Sequence, residues 1–213
     1  MDSFILQFWG RILATLRFVS PLEWIWRLVP RTRTHGWVDL WVLFNSTASV
    51  AAWILAAGVG ARQAVRALLL YGSVRVFEII VYQAKVVLFD AYRQPRSTPD
   101  YAVRSYRRIV VLALHNYFEV VFWFAAAYAA LSELFGDKAL LVARPAGALY
   151  FSIVTMATVG YGDVAPSSDG GRILVTLQVA IGLLMTIVIL ARVVAFLPTP
   201  RTLDEAEKPS GVE

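Results

Sequence analysis

Two apolar stretches, residues 109–131 and 173–197, are each long enough to cross a bilayer, which takes about 20 residues. What lies between them constrains the fold more than either. The segment Met156-Ala157-Thr158-Val159-Gly160-Tyr161-Gly162-Asp163 places glycine at alternate positions. Consecutive backbone carbonyls can line one side of a path only if the chain alternates left- and right-handed dihedrals. Glycine enters the positive-φ states without a Cβ clash, so Gly160 and Gly162 suit that path. Pro145 stands where a helix would begin, a position that suits a residue without an N–H. The run 146–157 that follows makes about three turns at ~1.5 Å per residue, too short to span, and its C-terminal end points into the glycine segment. A Gly-rich turn closed by an aspartate can carry the same letters, but not in this company.

The rest of the composition agrees with a membrane setting. The chain of 213 residues is 58% hydrophobic with mean hydropathy +0.61, far above an ordinary soluble domain. Its formal charge of +5 falls in blocks, which reads as membrane topology and not as nucleic-acid binding. There are no cysteines, and the two histidines, His35 and His115, have no metal-ligand spacing. Neither a hydrolytic triad nor a nucleotide-binding Gly-rich loop is present, so no enzyme site and no cofactor are expected.

In order, the chain divides into an N-terminal amphipathic segment (1–36), a two-helix transmembrane hairpin (37–92), a basic linker (93–108), a second helical module (109–197) and a polar tail (198–213). Arg11, Arg17, Glu23 and Arg27 interrupt the first segment, which rules against a cleavable signal. Its aromatics suit a helix at the lipid headgroups, or one docked on the cytoplasmic face of neighbouring subunits, broken at Pro21 and ended at Pro30. Residues 40–59 form the first span, with Trp37 and Trp41 at the water boundary. Asn45, Ser46, Thr47 and Ser49 give it a polar side expected to face protein. Residues 67–92 form the second span, 109–131 the third and 173–197 the fourth. Lys85 is read as a side chain reaching toward the cytoplasmic surface. Segments 1–36 and 84–108 hold eleven Lys/Arg and loops 60–66 and 133–145 hold four, so both termini are expected inside. The fold expected is an all-α membrane protein: four transmembrane helices per subunit, a re-entrant pore helix and an interfacial N-terminal helix. The tail is expected to be disordered and to hold no ligand-binding domain.

From about 109 to 197 the pattern resembles the two-helix pore module of bacterial potassium channels, through the Thr-Val-Gly-Tyr-Gly-Asp signature. The resemblance implies a homotetramer in a cell membrane, since four such loops surround one ion path and this chain has one. It implies that the carbonyls of Thr158, Val159, Gly160 and Tyr161, with the Thr158 hydroxyl, replace the water around K⁺, the permeant ion. Gly162 and Asp163 would form the outer mouth. The negative end of the short helix would favour a cation beneath it. Gly182 falls at the family's bending glycine, or is a small residue easing helix packing. Leu183, Thr186, Leu190 and Val194 match cavity-lining positions, the last two near an inner gate; the same spacing also suits a seam packed on the third helix. Among the residues that would support the filter, three positions depart from the family. Val154 replaces a glutamate, Phe151 replaces an aromatic donor, so that Tyr161 needs another partner, and Ala157 replaces a threonine. Tyr150 keeps a hydroxyl able to bond Asp163.

No helix carries arginines at every third residue, so a voltage sensor is not expected. Arg75, Glu78 and Glu119 fall at similar depth, with His115 one turn from Glu119. They are expected to form an intramembrane charge cluster tying the hairpin to the third helix, either as a structural tie or as a proton-sensitive coupling through His115 or Glu119. Expected partners are further copies of the chain, the lipid bilayer, and anionic headgroups at linker 93–108. Two other readings use the same residues: the membrane subunit of a potassium uptake system, and a weakly selective cation channel.

Overall fold

The computed structural model describes residues 4–16, 34–56, 62–85 and 106–194, with positions 21, 25, 28, 29 and 58. Among them every regular element is helical. In chain order these are α1 (Phe4–Leu16), α2 (His35–Ala56), α3 (Arg62–Lys85), α4 (Tyr106–Ala130), a 3-10 segment (Ser132–Lys138), α5 (Ala139–Val142), α6 (Pro145–Met156) and α7 (Asp169–Val194). Of the expected linker 93–108, residues 106–108 already belong to α4 and the rest lie outside the described residues, as do the tail from 198, Pro30 and the Lys85 side chain; Pro21, where a break was expected, is itself helical.

Three helical stretches, Gly36–Ala56, Arg108–Ala130 and Asp169–Val194, are long and apolar enough to cross a membrane. The segment Ser132–Val142 and helix α6 meet at 117° and make a fourth only if that bent pair is counted as one span. The expected second span is a helix of 24 residues, α3, but it is not among those three, and Arg75 and Glu78 interrupt its apolar length.

Helix α4 is the axis of the subunit, touching α2, α3, α6 and α7. Its buried Ala113, Ala125, Ala126 and Ala129 let neighbouring backbones approach, which is how helices pack where burial from water gives no drive. The polar side expected on α2 divides. Asn45 and Ser49 are buried; Thr47 is exposed and satisfies its hydroxyl on the Leu43 carbonyl, 2.9 Å away on its own helix. At one end of the bundle Arg108 of α4 pairs with Asp39 of α2 at 2.6 Å. Near the end of α7, Arg192 donates to Gln83 of α3 at 2.8 Å.

The stretch between α4 and α6 is ordered, not a plain loop. Phe135 is buried beneath it, and the Leu134 carbonyl accepts from the Ser167 N–H (2.9 Å) and from the hydroxyls of Ser167 and Ser168 (3.1 and 3.3 Å). Ser168 also accepts from the Gly171 N–H at 3.2 Å, capping the start of α7. At the other entry Arg144 is extended, as a residue before proline prefers, and Pro145 opens α6.

Candidate functional site

Helix α6 ends in the glycine segment without a break in hydrogen bonding. The Ala157 N–H reaches the Ile153 carbonyl (2.9 Å), that of Thr158 the Thr155 carbonyl (3.0 Å) and that of Val159 the Val154 carbonyl (2.9 Å). From there positive φ recurs at every second residue: Thr158 (56°), Gly160 (57°) and Gly162 (78°). That alternation turns successive carbonyls toward one side. The two glycines were legible in advance; Thr158 was not, because a β-branched residue rarely enters this region. The segment is open in the single subunit, with Val159 50% and Tyr161 71% exposed, while Val164 just beyond is buried.

Among the flanking residues, the Tyr150 hydroxyl donates to Asp163 Oδ2 at 2.8 Å. Val154 is buried and apolar, and the described residues give Asp163 no acidic partner from α6. Phe151 is edge-on to Tyr128 and Phe135, with ring centroids 4.9 and 5.1 Å away.

On α7, one stripe faces inward and holds Gly171, Gln178, Gly182, Met185 and Val188. A Cβ on Gly182 would lie 2.7 Å from the Met156 carbonyl oxygen, so this glycine permits the close approach of α7 to the end of α6. Leu183, Leu190 and Val194 are exposed on the single subunit. Thr186 is exposed as well but neighbours the Tyr117 hydroxyl of α4, which puts it at the edge of that stripe.

The charged residues meet in the bundle. Arg75 donates from Nε to Glu119 Oε1 (2.8 Å), from Nη2 to Glu119 Oε2 (3.1 Å) and from Nη1 to Glu78 Oε2 (2.6 Å). All three side chains are buried, Glu119 completely. The guanidinium fork meeting a carboxylate edge-on is the geometry that makes such a pair strong and specific. His115 stands apart: its Nδ1 lies 2.9 Å from the Val111 carbonyl on its own helix. Two aromatics that the charge spacing did not indicate complete the cluster. Trp123 Nε1 donates to Glu119 (3.3 Å), and the Trp41 ring lies 5.9 Å from the guanidinium. Beside it the Tyr71 hydroxyl donates to Asn45 Oδ1 at 2.5 Å.

A second buried network also went unread. The Tyr128 hydroxyl donates to Gln178 Oε1 (2.6 Å), Gln178 Nε2 reaches the Ser152 carbonyl (3.1 Å) and hydroxyl (2.7 Å), and the Ser152 hydroxyl donates to the Val121 carbonyl (2.7 Å). Lone polar residues inside apolar runs give no signal of partnership until the helices are docked.

Comparison with known proteins falls on the same part of the chain. Residues 116–198 match the family model for ion channels, which is less than half of the chain. Two pore potassium channel a of Oryza sativa subsp. japonica is 36% identical over 72 residues, covering 34% of this chain and 20% of that protein. Two pore potassium channel b of the same plant is 45% identical over 49 residues (23% and 13%). Two-pore potassium channel 4 of Arabidopsis thaliana is 48% identical over 48 residues (22% and 17%). The chain therefore spans a fifth or less of these curated relatives. No solved structure matches it.

Proposed function

We propose that this chain is one protomer of a potassium-selective channel. Four copies surround a central axis, and K⁺ moves passively through rings of oxygen from Thr158, Val159, Gly160 and Tyr161. The observation that carries the reading is the recurrence of positive φ at Thr158, Gly160 and Gly162 immediately beyond a short helix. Such a path presents consecutive main-chain oxygens to one side, and oxygens so fixed substitute for the hydration shell of a dehydrated cation. The match to ion channels over 116–198 and the potassium-channel relatives support the same reading. A single such loop per chain requires four chains to close a ring.

The rest of the scheme follows from that axis. The exposed Leu183, Leu190 and Val194 line the inner cavity, with the last two near a hydrophobic constriction that gates by dewetting. Gly182 is a packing glycine first, because its neighbour is the Met156 carbonyl. Helices α2 and α3 cross the membrane as a hairpin beside the pore, the assembly sits in the cell membrane with both termini inside, and linker 93–108 meets anionic headgroups. Flux into proteoliposomes of purified protein tests the reading. Downhill K⁺ flux well above Na⁺ flux is expected. A bi-ionic reversal potential near zero would instead mark a weakly selective cation channel, and uphill accumulation an uptake system.

A further inference from the structure

Helix α6 carries the start of the 158–163 loop, so whatever holds α6 holds the loop. The Thr158 and Val159 N–H groups bond to the carbonyls of Thr155 and Val154, in the last turn of α6. Ser152 lies one turn or less before both. Its side chain and carbonyl are gripped by Gln178 of α7, and its hydroxyl by the Val121 carbonyl of α4. Tyr128 of α4 closes the arrangement from the other side of the amide. Tyr128, Ser152 and Gln178 are all fully buried.

The direction of every bond is fixed by chemistry. The Ser152 carbonyl can only accept, so the Gln178 atom facing it is the NH₂, and Oε1 is left for the Tyr128 hydroxyl. The Ser152 hydroxyl, receiving from Gln178, passes its own proton to Val121. A chain of neutral bonds in a low-dielectric interior is stiff, because breaking any member strands a buried polar group. One turn further along α7, Gly182 lets the helix backbone rest on the Met156 carbonyl. Helix α7 thus holds α6 at two places on one face, through an amide at Gln178 and through bare backbone at Gly182.

We propose that Gln178 is a positioning residue for ion selection, setting the place of α6 and through it the base of the 158–163 loop. Its amide reaches α6 at Ser152, two residues before the apolar Val154. The inference rests on reading 158–163 as the ion-selecting loop, and the experiment separates the two.

The experiment uses the full chain in planar bilayers or proteoliposomes, with assembly checked by size exclusion. Wild-type protein is measured first; absence of K⁺ preference there overturns the proposed function, not the hold of Gln178 on α6. Given a selective wild type, Gln178→Met keeps the length of the side chain and removes its hydrogen bonds. It is expected to assemble, to lower the K⁺/Na⁺ permeability ratio at least threefold, and to lose conduction at least threefold faster in sustained recordings. Tyr128→Phe removes one hydroxyl and is expected to shift both readouts the same way by less. The double variant is expected to match Gln178→Met alone, because both act through one amide. Val188→Ala, a buried truncation further along α7, reports on general destabilisation and is expected to leave the ratio unchanged. A Gln178→Met channel with wild-type ratio and lifetime overturns the proposal. If Gln178→Met does not assemble, Tyr128→Phe decides: a wild-type ratio and lifetime there overturns it equally.

Discussion

The two halves of this subunit are held together by opposite means. From α4 to α7 the fastenings are neutral: backbone bonds running off the end of α6, the Tyr128–Gln178–Ser152 chain, and a cluster of aromatic rings at Phe135 and Phe151. Between the α2–α3 hairpin and α4 the polar fastenings are ionic: buried Arg75 of α3, held by Glu78 on its own helix, reaches Glu119 of α4, and Arg108 of α4 reaches Asp39 of α2. Neutral bonds fix a backbone without adding net charge, which suits a region proposed to present weak, evenly spaced dipoles to a cation. An ion pair tolerates little change in either member and suits a region whose task is to stay attached. The difference teaches that the module matched to ion channels is built around main-chain geometry, and the hairpin outside that match around side-chain charge.

The comparison breaks most sharply at Gly160. Within its own subunit a Cβ there meets nothing within 4 Å; Gly160→Ala asks an L residue to hold φ near 57°, at roughly 1–2 kcal/mol per protomer. We expect the proposed assembly to form with near-normal stability and to lose K⁺ preference, seen as a collapse of the bi-ionic reversal potential. Retained preference would count heavily against the loop as the selecting element. At the hairpin the expectation is reversed. Glu119→Gln leaves Arg75 with one charged partner and should destabilise the subunit by about 3–5 kcal/mol, as removal of one member of a buried pair does. Denaturation in detergent measures it, and channels that do assemble should keep their selectivity. A selectivity change as large as that of Gly160→Ala would erase the contrast between the halves.

Smaller effects sharpen it. Gly182→Ala pushes a methyl against the Met156 carbonyl and should cost about 1–3 kcal/mol as overpacking, with faster loss of conduction as α6 is displaced. If it only changes opening at the inner end, the glycine is a hinge and its contact with α6 is incidental. Trp53→Phe removes the indole N–H that α2 gives to the Pro145 carbonyl at 2.9 Å, a bond from the hairpin to the start of α6. About 0.5–1.5 kcal/mol of stability should go, with no change in ion preference.

How far the chain could be read in advance followed the same division. The short helix, its opening proline and the two glycines were legible because each answers a backbone constraint that few residues satisfy. Thr158 escaped because its positive φ is imposed by the residues around it, not by its own preference. The meeting of Arg75, Glu78 and Glu119 was legible from depth alone, since unpaired charge is expensive in an apolar setting. His115 sits one turn from Glu119 as its spacing required, and its ring nitrogen is met by a carbonyl one turn back on its own helix. Gln178, Ser152 and Tyr128 gave no warning, because a neutral polar side chain in an apolar helix shows its purpose only when its partners arrive from two other helices.

The bond between Arg192 and Gln83 gives the last turn of α7 a mooring on the peripheral hairpin. Pinned to α6 at its midpoint, α7 is also tied to α3 near its end, like a mast with a stay. Any sideways sweep of its last turn must either part that bond or carry α3 along, so the foot of α7 and the hairpin move as neighbours while the 158–163 loop lies at the far end of α6's hold.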